Sequence, residues 1–156
     1  MNTKKSKKTL IVIILFSVLL AVAFIISACL YFPSIKGVRR SFVFSSAETG
    51  VFNVENRYVP AHPEKDEIAY YVDEILLGPQ NERSLMLFRS GTKVLSCIKN
   101  DDVLYIDLSP DLLKMGINVM EIKDGIELLR SNVLRNFKQI SKVEILINGK
   151  YAYENF

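Results

Sequence analysis

The stretch PEKDEIAYYVDEILLGP, Pro63 to Pro79, carries the clearest helix signal in the chain and fixes the kind of fold around it. Its apolar residues recur at helical spacing: Ile68, Tyr71, Val72, Ile75 and Leu76. Pro63 suits an early helical position, and the acidic residues after it favour the positive end of the helix dipole. Gly78 before Pro79 predicts the stop, with Gly78 at positive φ. We therefore predict an amphipathic helix with one buried face.

A hairpin is predicted on the amino-terminal side of this helix, with Phe42 and Phe44 on one face of its first strand. In its second strand, after a turn at 48–50, apolar and polar residues alternate: Phe52, Val54 and Tyr58 with Asn53, Glu55 and Arg57. The alternation predicts that the apolar set is buried.

A second hairpin is predicted on the carboxyl side, from strands at 93–99 and 103–108 joined by Asn100-Asp101-Asp102. Leu104, Ile106 and Leu108 share the inward face of its second strand.

A second helix follows, with Ile122, Ile126, Leu129, Val133 and Phe137 on one face. Asn118 and Glu121 have the spacing of a capping box before it, and Gly125 is predicted to cost about 1 kcal/mol relative to Ala. A last strand at 143–147 ends in Asn148-Gly149, a tight-turn dipeptide.

Outside this region lies LIVIILFSVLLAVAFIISACLYF, Leu10 to Phe32, which contains no charge. At about 1.5 Å per residue, this stretch is long enough to cross a bilayer core of about 30 Å. Lysines precede it, and Tyr31 and Phe32 stand where an interfacial aromatic belt lies. These flanks predict one transmembrane helix, with a cytoplasmic amino terminus and an extracytoplasmic carboxyl part.

An alternative interpretation of the same stretch is a lipoprotein signal. Ile26-Ser27-Ala28-Cys29 has the pattern that precedes cleavage, after which Cys29 would carry the lipid. The apolar run continues to Phe32, however, and is longer than a cleaved core usually is. We favour the uncleaved anchor, and either anchor tethers the remaining chain outside the cytoplasm.

Residue positions and charge then divide the chain into a basic tail at 1–9, the anchor at 10–32, a linker at 33–40 and one domain at 41–156. Without the four lysines of the tail, the net charge falls from +3 to −1. Nothing in that balance favours nucleic acid as a partner. The two cysteines, Cys29 and Cys97, are not placed to form a disulfide.

Candidate catalytic and metal-binding residues are sparse. His62 is the only histidine and has no partner marked in the sequence, and Cys97 lies in a strand as a small buried thiol. Asp101 and Asp102 fit a solvated turn, and Asp107, on the outward face of its strand, is a candidate hydrogen-bond partner of a neighbouring hydroxyl such as that of Ser109. We therefore predict no catalytic set, no cofactor and no metal site.

The order of four short motifs resembles the sporulation and spore germination domain called GerMN. These are Leu76-Leu77-Gly78-Pro79, Gly91-Thr92-Lys93, Ile106-Asp107-Leu108-Ser109, and the strand Val143 to Ile147 ending in Asn148-Gly149. The residues that carry the resemblance are Gly78, Pro79, Gly91, Thr92, Asp107 and Gly149. The resemblance implies a two-layer α+β domain, similar to ring-building motifs, with two helices packed on a mostly antiparallel sheet. It also implies an envelope-anchored accessory factor whose motif residues carry no enzymatic activity.

Together these observations favour a membrane-anchored, non-enzymatic interaction or assembly domain of the bacterial envelope, acting by self-association or with an envelope protein. The runner-up is an envelope module that binds wall polymer or a small molecule, and a hydrolase comes third. The missing catalytic set separates the first from the third. An interaction surface and a shallow pocket leave the same scattered residues in a sequence.

Overall fold

The computed structural model describes residues 3–34, 37–61, 63, 66–114 and 116–152, and within the first helix it describes side chains for residues 10–30. The chain forms two units, Met1–Gly37 and Val38–Phe156. The elements in chain order are α1 (Thr3–Ser34), β1 (Gly37–Ser45), β2 (Phe52–Pro60), α2 (Glu67–Leu76), β3 (Val94–Asn100), β4 (Val103–Leu108), a short 3-10 helix (Pro110–Leu113), α3 (Ile122–Asn136), β5 (Lys142–Ile147) and β6 (Lys150–Tyr151).

The amino-terminal unit is the helix α1. Within it, Leu10–Leu30 is long and apolar enough to cross a membrane by length and composition. The predictions made for the side chains of Tyr31 and Phe32, and for His62, fall outside the described residues. β1 begins at Gly37, so the last part of the predicted linker at 33–40 lies in a strand.

The described residues of the domain form two separate sheets. β1 and β2 pair in one, and the other has the order β3-β4-β5-β6. β3–β4 and β5–β6 are antiparallel, as a mostly antiparallel sheet predicts, whereas the central pair β4–β5 is parallel. The parallel pairing follows from α3, because a crossover helix returns the chain to the same end of the sheet. The fold class is the α+β that the sequence predicts.

The two helices α2 and α3 cover one face of the four-stranded sheet: α2 packs on β3 and α3 on β5. The side chains that β4 and β5 send into this layer are fully or almost fully buried: Leu104, Ile106, Leu108, Val143 and Ile145. Those of the helices are buried against them: Ile68, Tyr71, Val72, Ile75, Ile126, Leu129 and Val133. The predicted core faces of β4, α2 and α3 are therefore the observed ones.

The prediction of which face of β2 is buried is wrong. Phe52, Val54 and Tyr58 are exposed, while the polar residues between them, Asn53, Glu55 and Arg57, point inward and are half-buried. Phe42 and Phe44 of β1 are buried as predicted.

The starts of both domain helices also differ from the prediction. α2 begins at Glu67 with Asp66 as its N-cap, whose carboxylate accepts from the backbone N–H of Ile68 at 2.9 Å, so Pro63 precedes the helix. Residue Glu121 caps α3 without a side-chain hydrogen bond, so the predicted capping box does not form. Asn118 instead has a φ of 58° in the preceding loop.

Two positions in the domain require glycine, one for its backbone conformation and one for a close approach between segments. Gly78 ends the α2 region with a φ of +95°, as predicted. Gly125 is not merely a weak helix residue: a Cβ there would stand 2.5 Å from the carbonyl oxygen of Leu87. The absence of a side chain at Gly125 therefore lets α3 lie against the backbone of a neighbouring segment.

Candidate interaction surface

The outward face of β2 is an exposed stripe without charged side chains. We call it the β2 stripe, and it consists of Phe52, Val54, Asn56 and Tyr58. Phe52 is 60% exposed, Val54 52% and Tyr58 73%. β2 pairs with β1 on one side and belongs to a sheet of two strands. Large apolar side chains that stay exposed together in a row are typical of interaction sites.

The inward face of β2 is polar because Arg57 bridges the hairpin and the end of α2. Its guanidinium lies 4.7 Å from the ring centroid of Phe42, and it donates to the carbonyl oxygen of Gly78 at 2.8 Å. It also pairs with Glu55 at 2.5 Å. An arginine held this way satisfies its donors and covers aromatic rings, so the polar face can turn inward.

Glu55 completes this bridge by accepting from the loop after Gly78. The backbone N–H of Gln80 donates to it at 3.0 Å, and that of Asn81 at 3.1 Å. Burial raises the pKa of Glu55, but the hydrogen bonds from Arg57, Gln80 and Asn81 together outweigh that effect, so the net pKa lies below its ordinary value. The carboxylate is therefore charged at neutral pH.

The other side of the hairpin is held by two asparagines one turn apart on α3. Asn132 accepts from the backbone N–H of Val43 at 2.8 Å and donates to the Val43 carbonyl at 3.0 Å. Asn136 does the same with Ser41, at 3.0 and 2.7 Å. Their side-chain amides thus substitute for a neighbouring strand along β1. With β1 covered in this way, β2 is the outer strand of the hairpin.

Asn132 also accepts from the hydroxyl of Tyr71 at 3.2 Å, and this buried cluster is the main feature that the sequence analysis missed. Asn132 is 0% exposed. The available signal was an asparagine next to Val133 on the apolar face of a predicted helix, four residues before Asn136, a spacing that places both on one side.

A groove of about 340 Å³ lies between the hairpin tip and α3. Phe52, Met120 and Leu128 supply its apolar lining, and Asp124 and Glu127 are its carboxylates. Phe52 belongs to both the groove and the β2 stripe, so the two form one continuous surface.

The residues that carry the motif resemblance are structural in their contacts. Gly91 has a φ of +95°, and the hydroxyl of Thr92 donates to the carbonyl oxygen of Arg89 at 2.8 Å in the same turn. Asp107 accepts from the backbone N–H of Gly149 at 3.0 Å, so its partner is the β5–β6 turn and not Ser109. Ser109 instead accepts from the backbone N–H of Lys93 at 3.1 Å.

A second groove, of about 430 Å³, lies between the end of α2 and the turn before β3. Leu76, Leu77, Gly91, Thr92 and Lys93 are among its lining residues. Motif residues therefore occupy a groove wall as well as a turn.

The thiol and carboxylate candidates are placed as follows. Cys97 is half-buried, and burial raises the pKa of its thiol to about 11, so it is protonated at neutral pH. Asp102, in the turn between β3 and β4, accepts a hydrogen bond from the hydroxyl of Ser141, which precedes β5. Among the residues that the structure describes, no group of three or more potential ligands is placed to hold a metal ion.

This architecture defines a small two-layer α+β domain with an exposed strand face and shallow grooves. The model of the family described as sporulation and spore germination (Germane) matches residues 29–152, and the chain belongs to that family. The domain is similar to the first GerMN domain of the sporulation protein GerM from Bacillus subtilis, with a TM-score of 0.58, 17% identity, and coverage of 75% of this chain and 87% of that one.

A second solved structure has a similar fold, and one further protein is similar in sequence. The tandem GerMN domains of the same Bacillus subtilis protein match with a TM-score of 0.55 and 14% identity, over 73% of this chain and 39% of that chain. A protein of Treponema pallidum (strain Nichols), described as an uncharacterized lipoprotein, is 27% identical over 114 residues, which cover 73% of this chain and 85% of the relative.

Proposed function

We propose that this chain is a membrane-anchored, non-enzymatic interaction or assembly domain of the bacterial cell envelope. The observation that carries the proposal is the β2 stripe. Burying Phe52, Val54 and Tyr58 against a partner removes apolar surface from water at roughly 25 cal/mol per Å². The fold leaves these three side chains exposed while it buries the polar face of the same strand.

The anchor is α1. Leu10–Leu30 supplies an apolar helix of 21 residues, and a bilayer core of about 30 Å needs about 20. The lysines of the tail favour an orientation with a cytoplasmic amino terminus and the domain outside the cytoplasm. The thiol of Cys97 is half-buried and protonated at neutral pH, so it is poorly suited to act as a nucleophile. This supports the non-enzymatic part of the proposal.

A second candidate function is an envelope module that binds wall polymer or a small molecule. The groove of about 430 Å³ beside Gly91 and Thr92 favours it, because its volume falls in the range of small-ligand sites. Its lining includes Lys93, Thr92 and Ser90 as polar groups and Leu76 and Leu77 as apolar ones.

A crosslinking panel in the full-length membrane protein tests the first candidate against the second. Single cysteines replace Tyr58 on β2, Lys99 on β3 and Lys123 on α3, all exposed, in a Cys97→Ser background. The background without an added cysteine is the control.

We expect a specific adduct with another copy or another envelope protein, strongest at position 58. If none of the three positions gives an adduct absent from the control, the interaction role is wrong and the ligand-binding candidate takes its place.

A further inference from the structure

We propose that the outer edge of β2 binds the same edge of a second copy of this chain, forming an antiparallel β2–β2 pair about a two-fold axis. This inference rests on the proposed interaction function and names its surface and its partner. It starts from the β2 stripe, whose outward residues Phe52, Val54, Asn56 and Tyr58 carry no charge.

The other two outer strands of the domain are unsuited to such pairing. β3 carries Lys99 near its end and has an irregular register between Val94 and Ser96. β6, at the far side of that sheet, is two residues long. Lysines, prolines, inward-pointing charges, irregular registers and short strands are among the devices by which proteins block edge pairing. β2 is nine residues long and its outward side chains carry no charge. Its inward charges, Glu55 and Arg57, are paired with each other, and its proline, Pro60, is the last residue of the strand.

The sequence of β2 selects one register for a symmetric pair. Placing Asn56 on the two-fold axis opposes Phe52 to Pro60 of the second copy, so all nine residues of Phe52–Pro60 overlap. Glu55 and Arg57 are paired within their own chain, and in this register each lies opposite the other residue type of the second copy, so that no like charges are directly opposed. On the outward face it opposes Val54 to Tyr58, an aromatic and β-branched pair.

A neighbouring register is disfavoured by charge. An axis at Glu55 opposes two glutamates directly, which destabilises a strand pair. The register with the fullest overlap, with Asn56 on the axis, is thus also one in which no like charges are directly opposed. In a C2 interface each contact occurs twice, so Val54 contacts Tyr58 of the second copy and Tyr58 contacts Val54 of the second copy.

The pair is weak in dilute solution because one strand supplies fewer residues than the roughly 20–30 per side of a stable complex. Copies held by α1 in one membrane face each other at an effective concentration toward the millimolar range, which compensates for a weak contact. The pairing therefore belongs to the anchored chain and is lost in the free domain.

Disulfide trapping in the full-length membrane protein tests both the partner and the register. In the Cys97→Ser background, Asn56→Cys places two thiols opposite each other, at a Cα separation of about 5 Å that a disulfide spans. Val54→Cys is the matched control on the same stripe: its thiols lie four strand positions apart, about 13 Å, beyond the reach of a disulfide. We expect at least about tenfold more disulfide dimer with Asn56→Cys, given that reach.

A disrupting substitution supplies the second readout. Val54→Lys added to Asn56→Cys should reduce the amount of disulfide dimer several-fold. Leu95→Lys on β3 is the matched control, because Leu95 is 51% exposed and Val54 52%, and it should leave the amount of dimer unchanged. Equal trapping at positions 54 and 56, or no dimer at either, overturns the pairing.

The two proposals fail separately. Adducts with another envelope protein in the crosslinking panel, without Asn56→Cys dimers, leave the interaction function standing and exclude a second copy as the partner. Absence of both kinds of adduct contradicts both proposals.

Discussion

At the scale of single residues, the hairpin is positioned by side chains that replace backbone partners. Asn132 fills both the donor and the acceptor of Val43 in a fully buried site. Removing the amide leaves both groups unpaired, and each such group costs about 1–3 kcal/mol. We therefore predict that Asn132→Ala lowers the free energy of unfolding of the fragment 38–156 by about 3 kcal/mol or more, measured by denaturant titration.

The matched control for this substitution is Asn56→Ala, on the exposed face of β2. Asn56 accepts one exposed hydrogen bond from the Ser41 hydroxyl, at 3.0 Å, so its replacement should change the free energy of unfolding by less than about 0.5 kcal/mol. Equal losses for the two asparagines would contradict the assignment of Asn132 as the partner of β1.

Glu55 makes the stability of the domain depend on pH. Its pKa in the folded state is lowered from the ordinary value of 4.5, so the unfolded chain binds the proton more tightly. The stabilisation is therefore present above about pH 4.5 and is lost as the pH falls through the folded pKa. We predict that Glu55→Gln reduces the acid-induced loss of stability below that pH, whereas Glu82→Gln at an exposed position keeps the wild-type slope. Identical slopes for Glu55→Gln and the wild type would refute the bridge from β2 to the loop at 80–81.

At the scale of elements, the sequence predicted which residues share a face better than which face is buried. The stripes of α2, α3 and β4 are uniformly apolar on one side, so hydrophobic burial alone decides their orientation. On β2 the decision depends on Arg57 and Glu55, whose partners Gly78 and Gln80 lie more than twenty residues away. The alternation of apolar and polar residues shows that a strand has two faces, but it carries no information on contacts between residues more than twenty positions apart.

The same limit applies to helix starts. Local spacing suggested the pair Asn118 and Glu121, but residues 118–120 are engaged elsewhere: the Asn118 carbonyl accepts from Met86 N–H, and Met120 N–H donates to the Met86 carbonyl, both at 2.9 Å. This pairing with the segment around Met86 fixes the loop before α3 and overrides the capping box. It also brings the Leu87 backbone against Gly125.

We predict that Gly125→Ala destabilises the domain although alanine favours a helix by about 1 kcal/mol. The new Cβ meets the Leu87 carbonyl oxygen at 2.5 Å, and relieving such overpacking in a core typically costs about 1–3 kcal/mol. Thermal or chemical unfolding of the fragment 38–156 should show a net loss. Ser131→Ala, at an exposed position of the same helix, should show a small gain or no change. A stability gain at position 125 would mean that α3 and the segment at Leu87 are farther apart than in this structure.

At the scale of the whole molecule, the order of elements and the family could be predicted from sequence because short turn motifs mark where each element ends. Gly78-Pro79, Gly91-Thr92 and Asn148-Gly149 are local signals, and each occupies the turn that its residues favour. The candidate interaction surface could not be predicted in the same way, since it exists only because β2 presents its apolar side outward. The function we propose thus depends on the part of the fold that local patterns specify least.

The proposed anchor decides how the candidate surface is displayed, and Cys29 distinguishes the two forms that the anchor can take. α1 is one continuous helix through Cys29 to Ser34, and the apolar run of Leu10–Leu30 exceeds the roughly 7–15 residues of a cleaved core, so we predict an uncleaved span. Cys29→Ser should then leave the protein in the membrane fraction with an unchanged mass apart from the substitution, as should the control Cys97→Ser. Protease added to intact spheroplasts should degrade the domain while a cytoplasmic marker survives. A mature chain that begins with a diacylated Cys29, and loss of that lipid in Cys29→Ser, would contradict the uncleaved span. The anchor would then be a lipid, as the description of the Treponema pallidum protein states for that protein.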